Sequence, residues 1–329
     1  MKLIKLIPDN TNIKFLRWRV PFYTVSLLLM AASLALVVTK GLNLGVDFVG
    51  GQQIRVTFAE GAPAPLAEVR QEIDALGYGE PTIQQLGQPN VISVRMGLPD
   101  SEEPGLTERM VRDIRATLES NHPEAAIGAA ESVSGKVSQE LFRDGMIALA
   151  LAALGIAIYI WIRFEWQFGV GALFALVHDV TLTLGLFALT QMEFDLNIVA
   201  ALLTLIGYSL NDNIVVYDRI RENLKKYRKM PLAELLDLSV NETLSRTIVT
   251  STSLLITLVA LLLLGPDVIF GFTAAITLGI FVGTYSSIFM STPILIWLGV
   301  KSDSFVPTES PVDRQERVAR GGDPDGAQV

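Results

Sequence analysis

Six long stretches of the 329-residue chain carry almost no charge, and they limit the possible folds more than any other feature of the sequence. A helix needs roughly 20 mostly apolar residues to cross the hydrocarbon core of a bilayer. Five of the stretches that meet this length are residues 21–38, 145–162, 168–190, 196–217 and 247–264. The sixth lies within 268–300, which is too short for two spans and predicts one tilted helix with Pro293 near its end. We therefore expect a polytopic α-helical membrane protein with six transmembrane helices.

The composition fits this class and argues against a soluble enzyme. Charged residues make up 18% of the chain, whereas soluble domains carry about 25%. The chain has no cysteine, which excludes disulfides and thiolate metal sites, and its two histidines argue against a multi-histidine metal centre. We expect no metal, no organic cofactor and no nucleic-acid partner.

Lysine and arginine in the short connecting segments predict the orientation in the membrane. These residues concentrate in the head 1–20, at Arg163, in the segment 218–246 and in the tail 301–329. The connections 191–195 and 265–267 have none. The distribution predicts that both termini are cytoplasmic and that residues 39–141 are exported, with a five-helix bundle over 142–300.

The segment 39–141 has the pattern of a small α+β domain. Alternating apolar and polar residues predict strands over 52–59, 81–86, 90–96 and 126–133, and helical spacing predicts helices over 65–76 and 106–118. The order β-α-β-β-α-β is that of ferredoxin-like domains. We find no catalytic constellation in it, and His122 is predicted to lie on its surface. The tail 301–329 is polar and is predicted to be disordered.

Asp212 is the most informative of the charged residues inside the apolar stretches. Charged groups in a bilayer cost free energy, so they usually face a protein interior and serve a function. Four polar residues share or flank its helical face: Thr204 and Tyr208 at four-residue steps, with Ser209 and Asn211 alongside. A carboxylate in such a groove can take up and release a proton. The alternative is that Asp212 is a structural ion-pair partner or that its side chain extends to the cytoplasmic surface.

Arg246 lies at the start of the fifth stretch, at the same end of the bundle as Asp212. Thr247 follows it, and Thr250 and Ser253 continue its helical face as a hydrophilic stripe. Such a stripe in a membrane helix is expected to face protein or water. Arg246 can hold a carboxylate ionised and lose that partner when the carboxylate is protonated. The alternative is an anchor on the positive side of the membrane.

His178 and Asp179 lie at the centre of the third stretch. Adjacent helical residues point about 100° apart, so the two side chains cannot fully share one face. Asp179 is a candidate for the polar groove, with His178 either satisfying it or facing a partner. The alternative is a hydrogen bond that only holds the bundle together.

Two further sets of residues predict packing and turn geometry without chemistry. Small residues recur at every fourth position of the sixth stretch, including Gly279 and Gly283, and permit close helix approach. Asp47, Gly50 and Gly51 follow the first stretch, where the glycines permit a turn and Asp47 is expected to be a cap or hinge.

Several short motifs, taken in order along the chain, resemble the SecD/SecF family of protein-export membrane proteins. They are Gly45-Val46-Asp47-Phe48-Val49-Gly50-Gly51, Val133-Ser134-Gly135-Lys136-Val137, Arg163-Phe164-Glu165-Trp166, Val177-His178-Asp179-Val180, Ile206-Gly207-Tyr208-Ser209-Leu210-Asn211-Asp212, Asp218-Arg219-Ile220-Arg221-Glu222-Asn223, Arg246-Thr247 and Gly283-Thr284-Tyr285-Ser286-Ser287. Asn213 departs from the family pattern, since many relatives have threonine there.

The resemblance implies one six-helix half of a resistance–nodulation–division type transporter, with SecD as the other half. It further implies a bacterial inner-membrane location and work with the SecYEG channel, with YajC and YidC, and with preproteins that SecA has pushed. Protons would be the coupling ion, and membrane lipid would surround the bundle.

Three other functions remain open at this stage. The chain could be half of a proton-coupled solute efflux transporter, although one small exported domain leaves little for a substrate funnel. It could be a non-catalytic scaffold of the translocon, against which only the intramembrane charges argue. An intramembrane protease is disfavoured because neither Gly-x-Ser-x-Gly nor His-Glu-x-x-His nor a pair of catalytic aspartates occurs.

Overall fold

A computed structural model describes residues 8, 11–59, 61, 63–86, 88–98 and 105–300. Most of the first ten residues and the whole tail 301–329 therefore lie outside the described part of the chain. The disorder predicted for the tail stays a prediction.

The described chain is mostly helical, with one small sheet inserted after the first long helix. The helices are α1 (Arg19–Thr39), α2 (Val46–Val49), α3 (Leu66–Asp74), α4 (Leu106–Asn121), α5 (Gly135–Arg163), α6 (Trp166–Thr190), α7 (Leu196–Lys226), α8 (Leu232–Leu264), α9 (Phe270–Ser286) and α10 (Thr292–Trp297). The strands are β1 (Gly51–Thr57), β2 (Thr82–Gln85), β3 (Val91–Met96) and β4 (Ala126–Val133). Six helical segments are long and apolar enough to cross a membrane, as the sequence predicts.

The loop predicted over 218–246 is wrong, because most of it is helical. Helix α7 continues to Lys226 and α8 begins at Leu232, so only residues 227–231 connect them. Polar contacts hold the two extensions together: the Arg219 Nε donates to Glu242 at 2.7 Å, and the Asn223 amide donates to Ser239 at 2.9 Å. Of the charges that indicated a loop, Arg228 and Lys229 lie in this short connection, and most of the others lie on the end of α7.

The six spans form an inner and an outer group. In α6 and in α7, half of an 18-residue apolar segment is buried within this chain. The corresponding buried share is 11% in α5 and in α8. Many large apolar side chains of α5 and α8 are exposed in the described chain. Lipid or a partner protein would have to cover them. Helices α6, α7 and α9 therefore make the centre of the bundle, where the intramembrane charges lie.

The sixth span follows one helical path, as predicted, with a local widening near its end. Helix α9 leads through a π-helical turn at Ser287–Ser291 into α10, which contains Pro293. Proline cannot donate the backbone hydrogen bond that a regular α-helix requires, and a widened turn accommodates that loss. The Ser287 carbonyl accepts bonds from the hydroxyls of Ser291 and Thr292, at 2.8 and 2.9 Å.

Residues 51–133, called the small domain below, contain the predicted order β-α-β-β-α-β. The sheet order is β2-β3-β1-β4, and all neighbouring strands are antiparallel. Ile54, Val94 and Ile114 are among the buried residues of a separate core between the sheet and the two helices. The sheet arrangement accompanies the predicted order, whereas membership of the ferredoxin-like class stays a prediction.

The surface position predicted for His122 is wrong. Only 8% of this residue is exposed, because its ring packs against Phe58 and its Nε2 lies 3.0 Å from the Glu72 carboxylate. The preceding helix α4 ends at Asn121, and His122 is its C-terminal cap residue. His122 thus closes one end of the small domain's core.

Candidate functional site

Asp179 lies where the three central helices meet. Its carboxylate is on α6 and is 1% exposed. Its Oδ2 accepts one hydrogen bond from the Ser209 hydroxyl on α7 at 2.6 Å and another from the Ser286 hydroxyl on α9 at 2.9 Å. A buried carboxylate held by neutral hydroxyl donors from two other helices joins all three through one group.

His178 satisfies the other oxygen of the same carboxylate. Its Nδ1 lies 2.9 Å from Asp179 Oδ1, and the residue is fully buried. Within the described part of the chain, His178 Nε2 has no hydrogen-bond partner, and the ring lies 6.1 Å from that of Tyr285. Of the two roles left open for His178, the structure has the one in which it bonds its neighbour.

Asp212 is also buried, but it is held differently. It is 3% exposed, and its Oδ2 has no hydrogen-bond partner among the described residues. Arg246 lies exposed on α8, and no ion pair within 4.0 Å joins it to Asp212 in the described chain. The carboxylate and the guanidinium are therefore not in direct contact in this arrangement.

A second polar chain ties α7, α8 and α9 together. The Tyr208 hydroxyl lies 3.0 Å from that of Ser251, and the Ser251 hydroxyl lies 2.7 Å from that of Thr284. Asn213 is buried beside it on α7 and donates to the Ser209 carbonyl at 3.0 Å. Tyr208, Ser209 and Asn213 thus belong to the interior of the bundle.

The other polar residues predicted near Asp212 and Arg246 do not join this interior. Thr204 and Asn211 are exposed on α7, and Thr250 and Ser253 are exposed on α8. Thr247, which follows Arg246 and precedes the stripe, is buried, at 2% exposure. The expectation that the stripe faces protein or water stays a prediction, because α8 lies at the rim of the bundle and the described chain leaves Thr250 and Ser253 uncovered. Its hydroxyls face whatever covers that rim.

The small residues of α9 set how closely it approaches α7. A Cβ atom added to Gly279 would lie 2.5 Å from Leu205 Cδ1, far inside normal contact. At Gly283, the nearest atoms to an added Cβ are Asp179 Oδ2 and Ser209 Cβ, both at 3.5 Å. Gly279 fixes the separation of the helices, while Gly283 leaves room for the Asp179 carboxylate.

Asp47, Gly50 and Gly51 lie at the junction between the bundle and the small domain. Asp47 Oδ2 accepts from the backbone N–H of Leu196 at 3.0 Å, so it caps the start of α7. Gly51 has a φ of 121°, and an added Cβ would overlap the Met96 carbonyl oxygen. Gly50 has a φ of 75°, so both positions favour glycine.

Reasoning from the sequence did not select Ser286, Ser251 or Thr284 as site residues. Each is a small hydroxyl side chain in an apolar helix, a type that usually hydrogen-bonds the backbone of its own helix. Ser286 belongs to a motif that was noted for the family resemblance alone. The available signal was the presence of hydroxyl side chains close to Gly283 in the sixth stretch, at Thr284 and Ser286.

Comparisons with known proteins agree on one family. The family profile described as "Protein export membrane protein SecD/SecF, C-terminal" matches residues 113–301, and the profile described as "SecD/SecF GG Motif" matches residues 35–62. A protein translocase subunit SecF from Cereibacter sphaeroides is 46% identical over 93% of this chain and 97% of that protein. Another, from Rhodobacter capsulatus, is 41% identical over 90% of this chain and 92% of that protein.

Solved structures resemble the fold as well. The crystal structure of SecDF from Thermus thermophilus, described as a translocon-associated membrane protein, matches with a TM-score of 0.80 and 34% identity. The match covers 89% of this chain and 39% of that one. The present chain therefore spans well under half of the solved SecDF chain.

Proposed function

Because this chain belongs to the SecD/SecF family of protein-export membrane proteins, we propose that it acts as a SecF-type subunit that uses the proton gradient to promote preprotein translocation. The observation that carries this proposal is the position of Asp179. It is a buried carboxylate at the centre of a membrane bundle, and its Oδ2 bonds Ser209 and Ser286 on two other helices. The membrane character of the chain and the identity of its relatives support the setting.

The same carboxylate can change the packing when it exchanges a proton. A carboxylate accepts hydrogen bonds with both oxygens, whereas a carboxylic acid has one O–H that must donate. Protonation of Asp179 would force a rearrangement of the bonds to Ser209 and Ser286, and hence of the contact between α6, α7 and α9. Only a group with different proton affinity in two arrangements can transmit the energy of a gradient.

Asp212 and Arg246 would serve as a second exchange point. Asp212 is buried with one oxygen unsatisfied, and Arg246 is exposed nearby. An arrangement with the two in direct contact would satisfy both, and protonation of Asp212 would release Arg246. We propose that the present arrangement is the released one, and that alternation between the two accompanies proton movement.

The proposed partners follow from the exposed surfaces and from the family. A SecD half would cover the polar rim of α8 and the exposed face of α7, and the assembly would work with the SecYEG channel on preproteins. YajC and YidC are further candidates, and lipid would cover α5. The location would be the bacterial inner membrane, with both termini in the cytoplasm and residues 39–141 in the periplasm.

The test is translocation of a preprotein into inverted membrane vesicles, with and without a proton gradient. We expect Asp179→Asn and Asp212→Asn each to remove the stimulation by the gradient, while translocation driven by ATP alone continues. Asp218→Asn is the control, since Asp218 lies six residues beyond Asp212 on the same helix but is exposed and pairs with Arg163. Full stimulation in both buried variants would contradict the proposal and would favour a non-catalytic scaffold.

A solute efflux half is the alternative that shares these buried charges. It predicts proton-dependent movement of a small molecule without any effect on preprotein translocation. Purification from native membranes separates the two, since an efflux half would not bring down SecD and the channel.

A further inference from the structure

The small domain turns a polar face of its sheet towards the membrane bundle. Directly opposed residues on the four strands form a cross-strand row that reads Glu131, Gln53, Arg95 and Thr82. The alternate residues of the same strands, including Ile54 and Val94, form the domain's apolar core on the other side. Polar side chains therefore occupy the face between domain and membrane helices.

Arg95 and Gln53 are the buried members of that row. Each is 7% exposed. Arg95 Nη1 donates to the Leu44 carbonyl and its Nη2 donates to Asn43 Oδ1, both at 2.6 Å. Arg95 thus hydrogen-bonds the segment that joins α1 to the small domain, residues 41–47, which is called the connector below. A guanidinium suits this task because its planar fork presents several donors in fixed directions.

Glu193 meets the same pair from the membrane bundle. It lies in the α6–α7 loop, residues 191–195, and its side chain is 10% exposed. Its Oε2 accepts from the Gln53 side chain at 3.1 Å, and its Oε1 lies 3.8 Å from Arg95 Nη1. The loop that joins the two central helices is therefore bonded directly to the two central strands of the sheet.

Backbone bonds fasten the connector to the α6–α7 loop. Gly45 N–H donates to the Phe194 carbonyl at 2.9 Å, and Phe194 N–H donates to the Asn43 carbonyl at 2.8 Å. The Asn43 side chain also donates to Gln84 on β2 and to the Gln191 carbonyl, at 2.6 and 2.9 Å. Connector, loop and sheet form one continuous hydrogen-bonded unit.

We infer that Arg95 and Glu193 are positioning residues that dock the small domain on the α6–α7 loop, so that displacement of α6 against α7 moves the domain. Helix α6 carries Asp179 and α7 carries Ser209, and the loop is the short link between the two helices. A change in the hydrogen bond between Asp179 and Ser209 would shift α6 against α7. The loop would transmit this shift to the small domain, because it is bonded to the sheet. This inference rests on the proposed function for its consequence in export, but the docking itself does not.

The test measures the docking and its consequence separately. The chain has no cysteine, so single cysteines at Ala116 on α4 and Leu189 near the end of α6 accept spin labels without background. Both positions are exposed. We expect one narrow distance distribution in the otherwise unchanged chain in membranes. Arg95→Met should broaden it, because methionine has similar length but no donor.

Matched variants isolate the junction from general damage to the domain. Arg115→Met is the control, because Arg115 is on α4 and, among the described residues, its partners Gly128 and Glu119 lie within the small domain. Glu193→Ala should broaden the distribution, whereas Glu193→Gln should keep it narrow, since glutamine can still accept from Gln53. If Arg95→Met fails to accumulate in membranes, Gln53→Met replaces it, with the same expected broadening.

Translocation into inverted vesicles, with the same variants, completes the test. Broadening in Arg95→Met together with loss of gradient stimulation supports the inference. An unchanged distribution in both Arg95→Met and Glu193→Ala overturns it, whatever the translocation result. Broadening with full stimulation also overturns the role in transmission, while leaving the proposed function intact. Absence of stimulation in the unchanged chain contradicts the proposed function, and the distance distributions then still decide the docking.

Discussion

The carboxylate of Asp179 accepts a hydrogen bond from the Ser209 hydroxyl at 2.6 Å, across the contact between α6 and α7. The same oxygen accepts from Ser286 at 2.9 Å, which brings α9 to the same point. Three membrane helices therefore share one titratable group. In the proposed function, a proton on that group would change the packing where α6, α7 and α9 meet.

Removal of the two hydroxyls should uncouple Asp179 from its neighbouring helices. We expect Ser209→Ala and Ser286→Ala each to lower gradient-stimulated translocation, and the double variant to remove it. Loss of a hydrogen bond to a buried charged group costs about 1–3 kcal/mol, so thermal unfolding in detergent should also shift downwards. Ser253→Ala is the control, because Ser253 is exposed on α8. Unchanged stimulation in the double variant would show that the two bonds only support packing.

Arg246→Met should impair coupling with little effect on stability. Arg246 is exposed and makes no ion pair within 4.0 Å in the described chain, so its loss leaves no buried partner unsatisfied. We expect gradient stimulation to fall and the melting temperature to stay nearly constant. Lys225→Met, an exposed charge at the end of α7, is the control. Equal behaviour of both variants would assign Arg246 to anchoring on the membrane surface.

Alanine substitutions along α9 should differ in cost according to the space at each glycine. Gly279→Ala places a Cβ 2.5 Å from Leu205 Cδ1, whereas Gly283→Ala meets its nearest atoms at 3.5 Å. Overpacking of this kind costs about 1–3 kcal/mol. Thermal unfolding should therefore show a clear loss for Gly279→Ala and a smaller one for Gly283→Ala. The reverse order would mean that α7 and α9 pack elsewhere.

Single cysteines test the predicted orientation. Ala116 is exposed on α4 of the small domain, and Lys225 is exposed near the end of α7. A thiol reagent that cannot cross the inner membrane should label Ala116→Cys but not Lys225→Cys in cells whose outer membrane has been made permeable. Labelling of Lys225→Cys alone would invert the topology.

Docking of the small domain should strengthen as the pH falls. Burial raises the pKa of the Glu193 carboxyl above its ordinary value of 4.5, and Asp195 and Asp47 raise it further, while Arg95 lowers it. Burial also raises the pKa of Asp195. A raised pKa means that the docked arrangement binds the proton more tightly than an undocked one, in which the carboxyl is solvated.

The sign of the pH effect follows from that difference. Above the raised pKa, both arrangements carry the charged carboxylate and docking is weakest. Docking strengthens as the pH falls through the raised value, and levels off below the ordinary one. Glu193, Asp195 and Asp47 line a cavity of about 140 Å³. The other charged residues that line it are Arg55, Glu131 and Asp267. The spin-label distance distribution should become narrower as the pH is lowered from about 8 to about 5. The change in width should be smaller in Glu193→Gln. Broadening in acid would contradict the assignment.

The number of spans and the order of elements in the small domain followed from the sequence alone. Long uncharged runs have few alternatives to membrane helices, since every backbone polar group in a bilayer must be satisfied within the structure. Strand alternation and helical spacing are likewise local patterns. Asp179, His178 and Asp212 were recognisable as buried charges because such residues rarely occur in apolar stretches without a function.

The partners of those charges depended on the tertiary structure. Helical spacing says which residues share a face, but not which neighbouring helix that face meets. Thr250 and Ser253 share the face of Arg246 yet lie at the rim, while Ser286, on the central helix α9, reaches Asp179. Helix crossing in the bundle is set by the close approach at Gly279 and Leu205, two residues that lie 74 positions apart in the sequence. The pairing of Arg95 with Glu193 could not be predicted from the sequence either. It exists because the sheet docks on the α6–α7 loop, which brings β3 next to that loop.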